Sequence, residues 1–485
     1  MLDQLLNIIK KLIPKKLFKL LQPFYHWLLA KISAFIYGYP SNKMIIIGIT
    51  GTAGKSSTCY FIAQILEQAG FKVGMTTTTL FKIGNYEWLN DKKMTMLGRF
   101  QTQKLLKQMV KKNCEIAIIE TSSQGIEQYR HIGINYDILV FTNLYPEHIE
   151  AHGGFENYKK AKGKLFKYLS HSKHKDVKKL RQVQKIKKLG KFIKKTIIVN
   201  LDDEYAGYFL NFKADKKIGF GVNYELETKN YGNGFETIKA GDVKNENGKI
   251  KFIIHNLSAA ALADAGSLFT TPLLGNYNIY NVLAGISVAK ILGVNWEKIK
   301  TAVANLKPLP GRLEFIQDAQ DNLGVNIIVD YAFEPRALEK LYETVKSIDH
   351  NKIIHILGSA GGGRDKARRP ILGQIAAKNA DIVIVTNEDP YDEEPMKIID
   401  EVAAGAEEIK NQRPKTANQK SETQILKILD RREAIRKALK LAKKNDLILI
   451  TGKGAEQAIC VKNGKKIPWD DRKVVKEELS HLSSK

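Results

Sequence analysis

Cysteine is scarce, with three in 485 residues, and Cys59, Cys114 and Cys460 lie far apart without a CxxC pair. That excludes a disulfide framework or a cysteine-built metal site, and it fits a reducing compartment in which all three are buried and inert. Long uncharged apolar runs are also missing. Lys10, Lys11, Lys15, Lys16 and Lys19 interrupt the first apolar stretch, and Lys31 breaks the run from Phe24 to Tyr39. A spanning helix needs about 20 consecutive apolar residues, so none is expected. No small-residue cleavage site closes a short apolar core, which argues against a secretory leader. Acidic charge is in short supply: 77 Lys and Arg face 51 Asp and Glu, a net charge of +26. Such an excess suits polyanionic partners, among them phosphorylated metabolites, anionic membrane surfaces and nucleic acid. Internal repeats and extended low-complexity tracts are absent.

What remains is ordinary for a globular chain, with 44% hydrophobic and 26% charged residues, and a length that predicts two or three domains. Residues 1–43 read as one or two basic amphipathic helices, split near Pro14 and Pro23 and suited to lying on a membrane face or on the body of the protein. Met44–Thr50 (MIIIGIT) reads as a buried parallel strand. Glu115–Glu120, Asp137–Asn143 and Thr196–Asn200 repeat the signal with helical segments between them. That alternation predicts a doubly wound α/β domain over 44–308. Lys307–Arg312 (KPLPGR) reads as a linker. Strand candidates at NIIVDYA, KIIHILGS, DIVIVTN and DLILITG then build a second α/β domain over 309–485. The stretch 171–195 holds eleven Lys or Arg and one Asp. Its apolar residues recur at near-helical spacing, so it reads as a solvated insertion or a basic amphipathic helix.

Gly48–Ser57 (GITGTAGKSS) carries the clearest chemistry. It joins a strand to a helix, the setting a phosphate-binding loop requires. Gly51, Thr52 and Gly54 let the backbone close around phosphate oxygens, and the helix offers its positive end. Lys55 reaches the outer phosphates, while the Ser56 and Ser57 hydroxyls face the nucleotide, Ser56 as a Mg²⁺ ligand. ATP and Mg²⁺ are the cofactors this predicts. The loop is a variant, with Ile49 where the common form has its first glycine.

In this setting GTAGKSS resembles the loop of the Mur ligase family. The resemblance continues in order through IETSSQGIEQYR (Ile119–Arg130), FTNLYPEHIEAHGGFENYKKAKGKLF (Phe141–Phe166), LLGNYNIYNVLAG (Leu273–Gly285), LPGRLE, VDYAFEPRALE and GGGRDKARRP. GGGRDKARRP, TNEDP and TGKGAEQ are similar to the branch that adds the third residue of the peptidoglycan stem peptide. The resemblance implies a P-loop central domain with a parallel-rich sheet, a Rossmann-like α/β C-terminal domain, and an ATP-dependent ligase working through an acyl phosphate. It further implies that Ser56, Glu120, His148 and a carboxylated Lys162 hold metal, with Lys55 also catalytic. Asn278 would read the adenine, and Arg312 and Asp330 would contact ATP from the second domain. Thr95, Ser122, Gln128 and Arg130 would bind a nucleotide-linked muramoyl dipeptide. Arg364, Glu388, Asp389, Gly452 and Glu456 would receive a free amino acid, Glu456 pairing with the distal ammonium of a diamino acid.

Departures accompany the match. Tyr391 stands where diaminopimelate-adding relatives carry an arginine that grips the second carboxylate. Phe333 replaces a common histidine, Glu147 an aspartate and Met96 a threonine. Only 43 residues precede the first strand, too few for the family's uridine-binding domain, so a lipid-linked acceptor is an alternative substrate. Two other readings stay open: a membrane-associated P-loop ATPase acting as a switch, and a ligase for a folate-like acceptor. The expected location is cytoplasmic, peripheral on the inner face of the plasma membrane. Nucleic acid is not an expected partner, and no oligomeric state follows from the sequence.

Overall fold

A computed structural model describes residues 15–147, 152–180, 190–222, 235–246, 249–256, 267–363, 365–412 and 423–483. The chain divides into two compact units. The first runs to Leu306, except for Leu89–Lys93 and Leu273–Asn276, which belong with the second unit from Lys307 onward.

The first unit opens with helix α1 (Lys15–Ile36). It runs unbroken through Pro23, where the sequence predicts a split; Pro14 lies outside the described residues. Pro23 is exposed, so water can serve the carbonyl that loses its intrahelical partner there. Strand β1 (Ile45–Thr50) is buried along its whole length, as its β-branched run predicts. Helix α2 (Lys55–Gln68) follows, then β2 (Val73–Thr76), β3 (Leu80–Ile83) and β4 (Tyr86–Leu89). Helix α3 (Arg99–Lys111), β5 (Ile116–Glu120), the short α4 (Ser123–Glu127) and β6 (Ile138–Phe141) come next. Helix α5 (Phe155–Ser170), β7 (Thr196–Asn200), α6 (Ala206–Leu210) and β8 (Lys216–Gly221) continue the alternation. Strands β9 (Glu236–Glu246), β10 (Lys249–Asn256) and β11 (Ser267–Thr271), then α7 (Asn278–Ile291) and α8 (Trp296–Ala304), complete the unit.

Eleven strands form one sheet in the order β11-β10-β9-β8-β7-β6-β1-β5-β2-β3-β4. Its centre, from β9 to β2, is parallel, with β1 between β5 and β6. The flanks turn antiparallel, a feature the sequence reading did not anticipate. Strand order reverses around β1, so the carboxyl ends of β1, β5 and β6 open at a switch point where ligands bind in such sheets. One face is filled by a cluster in which the Phe141 and Phe209 rings stack at 3.9 Å. Helix α7 is buried almost throughout and packs on α2.

The described residues of the basic stretch 171–195 form no α-helix, and nine of the sixteen are exposed. Lys175 and Lys195 are buried and both pair with Asp137, Lys195 at 3.0 Å. Asp137 also accepts the Ile46 N–H at 2.9 Å. Burial pushes the Lys175 ammonium down to about 8 despite Asp137 beside it. Val177–Lys179 is a single 3-10 turn, and Asp176 bridges to Phe192. Residues 181–189 lie outside the described residues.

The second unit contains β12 (Glu314–Phe315), α9 (Gln317–Leu323), β13 (Asn326–Val329), α10 (Pro335–Val345) and β14 (Ile353–Leu357). It continues with α11 (Arg368–Asn379), β15 (Ile382–Thr386), α12 (Pro395–Gln412), β16 (Gln424–Ile428) and α13 (Arg431–Leu441). Strand β17 (Leu447–Ile450), a hairpin of β18 (Ala458–Val461) and β19 (Lys465–Pro468), and α14 (Asp471–Ser483) close it. Its main sheet has the order β12-β13-β17-β14-β15-β16, parallel except at β12. Successive residues alternate between two cores: Leu447 and Leu449 face one, Ile448 and Ile450 the other. Both faces are therefore covered by helices, as continuous apolar strands require. Strand β16 was not expected from the sequence; its QILKI run is broken by Gln424 and Lys427, and none of its residues is fully buried.

Candidate active site

The phosphate loop leaves β1 at the switch point. Gly51 has φ +154, and a Cβ there would collide with the Thr142 hydroxyl at the end of β6. Gly54 has φ +75, and a Cβ would sit 2.6 Å from Asn281 Oδ1 on α7. Both glycines are needed because neighbouring side chains hold the loop closely. Asn143 accepts from Ala53 N at 2.8 Å through its side chain and from Thr52 N at 2.8 Å through its carbonyl. Lys55 Nζ donates to Thr52 O at 2.7 Å, and the Thr52 hydroxyl lies 3.1 Å from the Tyr158 hydroxyl. Ser57 follows in the first turn of α2, half-buried.

Glu120 ends β5 beside Ile49 in the parallel register, which brings it next to the loop. It is buried, and its carboxylate accepts Ser56 Oγ at 2.7 Å, Thr78 N at 2.8 Å and the Thr78 hydroxyl at 3.0 Å. Thr95 lies 2.9 Å from that hydroxyl. Lys162 reaches the same loop from α5: it is 1% exposed and donates to Gly51 O at 2.7 Å. Burial, with the Lys55 charge adding, holds its ammonium well below the ordinary lysine range. Lys55, Ser56, Glu120 and Lys162 thus gather around one loop. Among the described residues no three His, Cys, Asp or Glu side chains form a metal cluster. His148 lies outside the described residues. The donors that do converge, Ser56 and Glu120, are hard oxygens that suit Mg²⁺, which retains several waters and needs few protein ligands.

Asn278 is buried at the start of α7, and its Oδ1 accepts Asn281 Nδ2 at 2.9 Å. Asn281 also accepts the Thr58 hydroxyl at 2.9 Å. Asn281 and Thr78 are site residues that the sequence reading missed; the NxxN spacing and the run of four threonines were the available signals.

Farther along the unit, Ser122 caps α4 by accepting Gly125 N at 3.1 Å. The Arg130 guanidinium donates to Met96 O, and Arg99 donates to the carbonyl of Gln128. On each of the two arginines Nε is buried without a partner. Burial, and then the Arg130 charge, pushes Arg99 down to about 10. Arg99 had no sequence signal beyond its charge.

In the second unit Asp330 is buried at the end of β13 and accepts Leu313 N and Ala332 N, each at 2.7 Å. Burial raises its carboxyl pKa against the opposing pull of Arg312. The Arg312 guanidinium stacks 4.1 Å over the Tyr331 ring. Glu388, Asp389, Gly452 and Glu456 also come together. Gly452 has φ +99, and a Cβ there would meet the Glu388 carboxylate. Glu388 is buried with one oxygen lacking a partner, and burial and then Asp389 raise its pKa. Lys453 lies at the centre and binds Asp389 at 2.9 Å and Glu456 at 2.7 Å. Lys93, from the Leu89–Lys93 excursion, adds 2.7 Å to Asp389 and 3.1 Å to Glu456. Burial alone would raise the Asp389 pKa, but the two lysines outweigh it and hold the carboxyl below its ordinary range. Lys453 sits inside TGKGAEQ and was passed over in the sequence; Lys93 had no signal. Arg364 lies outside the described residues.

A glycine-lined phosphate loop at a sheet switch point, with a strand-end carboxylate on its serine, defines a P-loop nucleotide-binding α/β protein that carries a second α/β unit. Residues 49–289 match the Mur ligase middle domain, and residues 311–454 match the Mur ligase glutamate ligase domain. The chain belongs to the Mur ligase family and is an ATP-dependent amide-bond-forming ligase. It is 33% identical over 458 residues to the UDP-N-acetylmuramyl-tripeptide synthetase of Roseiflexus sp. (strain RS-1), covering 94% of this chain and 82% of that one. It is 34% identical over 452 residues to the UDP-N-acetylmuramoyl-L-alanyl-D-glutamate–2,6-diaminopimelate ligase of Clostridium perfringens (strain 13 / Type A), covering 93% and 81%. A solved structure of a ligase with that same name superposes with a TM-score of 0.55 at 26% identity, over 90% of this chain and 79% of the other.

Proposed function

We propose that this ligase joins a diamino acid to the side-chain carboxylate of a UDP-linked muramoyl dipeptide in peptidoglycan assembly. An acceptor carboxylate oxygen attacks the γ-phosphorus of ATP, the bond to ADP breaks, and an acyl phosphate forms. The incoming amine then attacks the acyl carbon, the C–O bond to phosphate breaks, and the nitrogen loses a proton. Such chemistry is largely positioning and charge neutralisation. The observation that carries the reading is the gathering of Lys55, Ser56, Glu120 and Lys162 on one loop.

Lys55 pairs with the outer phosphates, and Asn278 reads the base. Ser56 and Glu120, with His148, hold Mg²⁺, which when bound neutralises phosphate charge. Lys162, with its proton affinity depressed by burial, is suited to carboxylation by CO₂, since only the free amine adds it. Arg312 and Asp330 serve ATP from the second unit. Thr95, Ser122, Gln128 and Arg130 receive the acceptor. Arg364, Glu388, Asp389, Gly452 and Glu456 receive the amino acid, and the acidic pair Asp389 and Glu456 favours a cationic distal group. We also place the chain in the cytoplasm, held peripherally at the inner membrane face.

The test is phosphate release from ATP and Mg²⁺ with UDP-N-acetylmuramoyl-L-alanyl-D-glutamate, screened against diaminopimelate, lysine, ornithine and no amine. Release that requires acceptor and one amine, with a product heavier by that residue, supports the reading. Release independent of both sinks it.

A further inference from the structure

Among the described residues sixteen large apolar side chains are exposed, and half of them lie between Leu21 and Tyr39. Phe24 is 61% exposed and Phe35 73%, values unusual for phenylalanine in a folded domain. On α1, Leu21, Phe24, Leu28, Ile32 and Phe35 recur at spacings of three and four. That places them within about 80° of one another around the helix, along about 21 Å of its length. Ala30, Ser33 and Ala34 are buried on the opposite side, where α1 packs on α3. A Cβ at Gly133 would lie 2.7 Å from Ala34 Cβ, so this docked face sits close against the first unit. The helix is therefore anchored by its small residues and turns its large ones to solvent. That arrangement is the reverse of what burial in the chain's own core produces.

The charge around the stripe identifies its occupant. Helix α1 contains no acidic residue, and Lys10, Lys11, Lys15, Lys16 and Lys19 precede the stripe in sequence. Lys31 borders it, its ammonium 5.9 Å from the Trp27 ring, and Trp27 stacks on Phe24 at 6.0 Å. An apolar face with Trp and flanking lysines matches the boundary between lipid headgroups and acyl chains. A second copy would bring lysines against lysines. No described helix is long and apolar enough to cross a membrane, so the fit is to the surface.

We infer that the exposed face of α1 is a docking surface for an anionic phospholipid bilayer, with Phe24, Leu28 and Phe35 entering the acyl boundary and the lysines meeting the headgroups. This deepens the peripheral-membrane part of the functional proposal. The experiment is co-sedimentation of the full chain and of F24E/F35E with phosphatidylglycerol-containing and pure phosphatidylcholine vesicles. Both phenylalanines are exposed, so the variant should keep its fold, which circular dichroism checks. The wild type should sediment with the anionic vesicles, and the variant should bind about tenfold more weakly or worse. Pure phosphatidylcholine should capture less, and added salt should release protein. Trp27 emission should shift to the blue on binding. Equal sedimentation of both proteins, or none of the wild type, overturns the inference. So does a dimer without vesicles that the variant abolishes, since the face would then join copies of the chain. Acceptor-dependent phosphate release by the variant, measured without vesicles, keeps a failed ligase reading separate from a failed docking reading.

Discussion

At the scale of single residues, two buried charges carry opposite messages. Asp389 is buried between Lys453 and Lys93, which hold its carboxyl below the ordinary range. Its contribution to stability is therefore present above the unfolded carboxyl pKa of about 4 and is lost as pH falls through the lower folded value. D389N should destabilise the second unit by about 3 kcal/mol at neutral pH, because it leaves buried lysines short of a partner. Urea unfolding should show that gap narrowing below about pH 4; a gap independent of pH would rule out the ion cluster as its cause. Lys162 is buried with its ammonium on the Gly51 carbonyl, and burial, with the Lys55 charge adding, lowers its pKa against the opposing pull of Glu147. Addition of CO₂ to the free amine forms an N–C bond and releases a proton. Labelled bicarbonate should therefore give a carbamate carbon signal that K162M lacks, and K162M should lower kcat by about 100-fold. A signal unchanged in K162M would place the carbamate elsewhere or nowhere. These residues were legible to different degrees. Ser56, Glu120 and Lys162 stood in ordered blocks. Lys93, Arg99 and Thr78 act through tertiary proximity, which leaves no trace in local spacing.

At the scale of elements, the parallel strands were readable because burial on both faces forces continuous apolar runs, as in Ile45–Thr50 and Leu447–Ile450. The flanking antiparallel strands were not, since one less buried side dilutes their pattern with polar residues, as in Lys249–Asn256. Helix α1 was readable as amphipathic, yet the face it docks could not be told from the face it exposes. Close helix packing was equally hidden. Gly373 on α11 and Gly405 on α12 lie where a Cβ would collide with backbone carbonyls of Val402 and Pro370 respectively. Backbone cannot yield as a side-chain tip can, so G373A must push the helices apart. It should cost about 3 kcal/mol, at the upper end for overpacking, and lower the melting temperature of the second unit without changing the KM for ATP. A cost below about 0.5 kcal/mol, the range of surface substitutions, would show that the helices are free to separate.

At the scale of the whole molecule, the charge of +26 has to be reconciled with a substrate set that carries phosphates and carboxylates. The buried ion clusters absorb almost none of the excess: Lys175 and Lys195 face Asp137 alone, while Lys453 and Lys93 balance Asp389 and Glu456. The excess creates a positive field that raises the encounter rate of polyanions and is screened by salt over about 8–10 Å. Steering acts on encounter, whereas the acyl transfer takes place among groups already within hydrogen-bond range and is screened much less. The two effects separate kinetically. Raising salt from low to several times physiological strength should lower kcat/KM for the UDP-linked acceptor several-fold while kcat stays nearly constant. The dependence should be weaker for the amino acid, which carries no phosphate. A parallel fall in kcat would locate the salt effect in the chemical step, and an unchanged kcat/KM would mean that the positive field faces away from the route by which substrates enter.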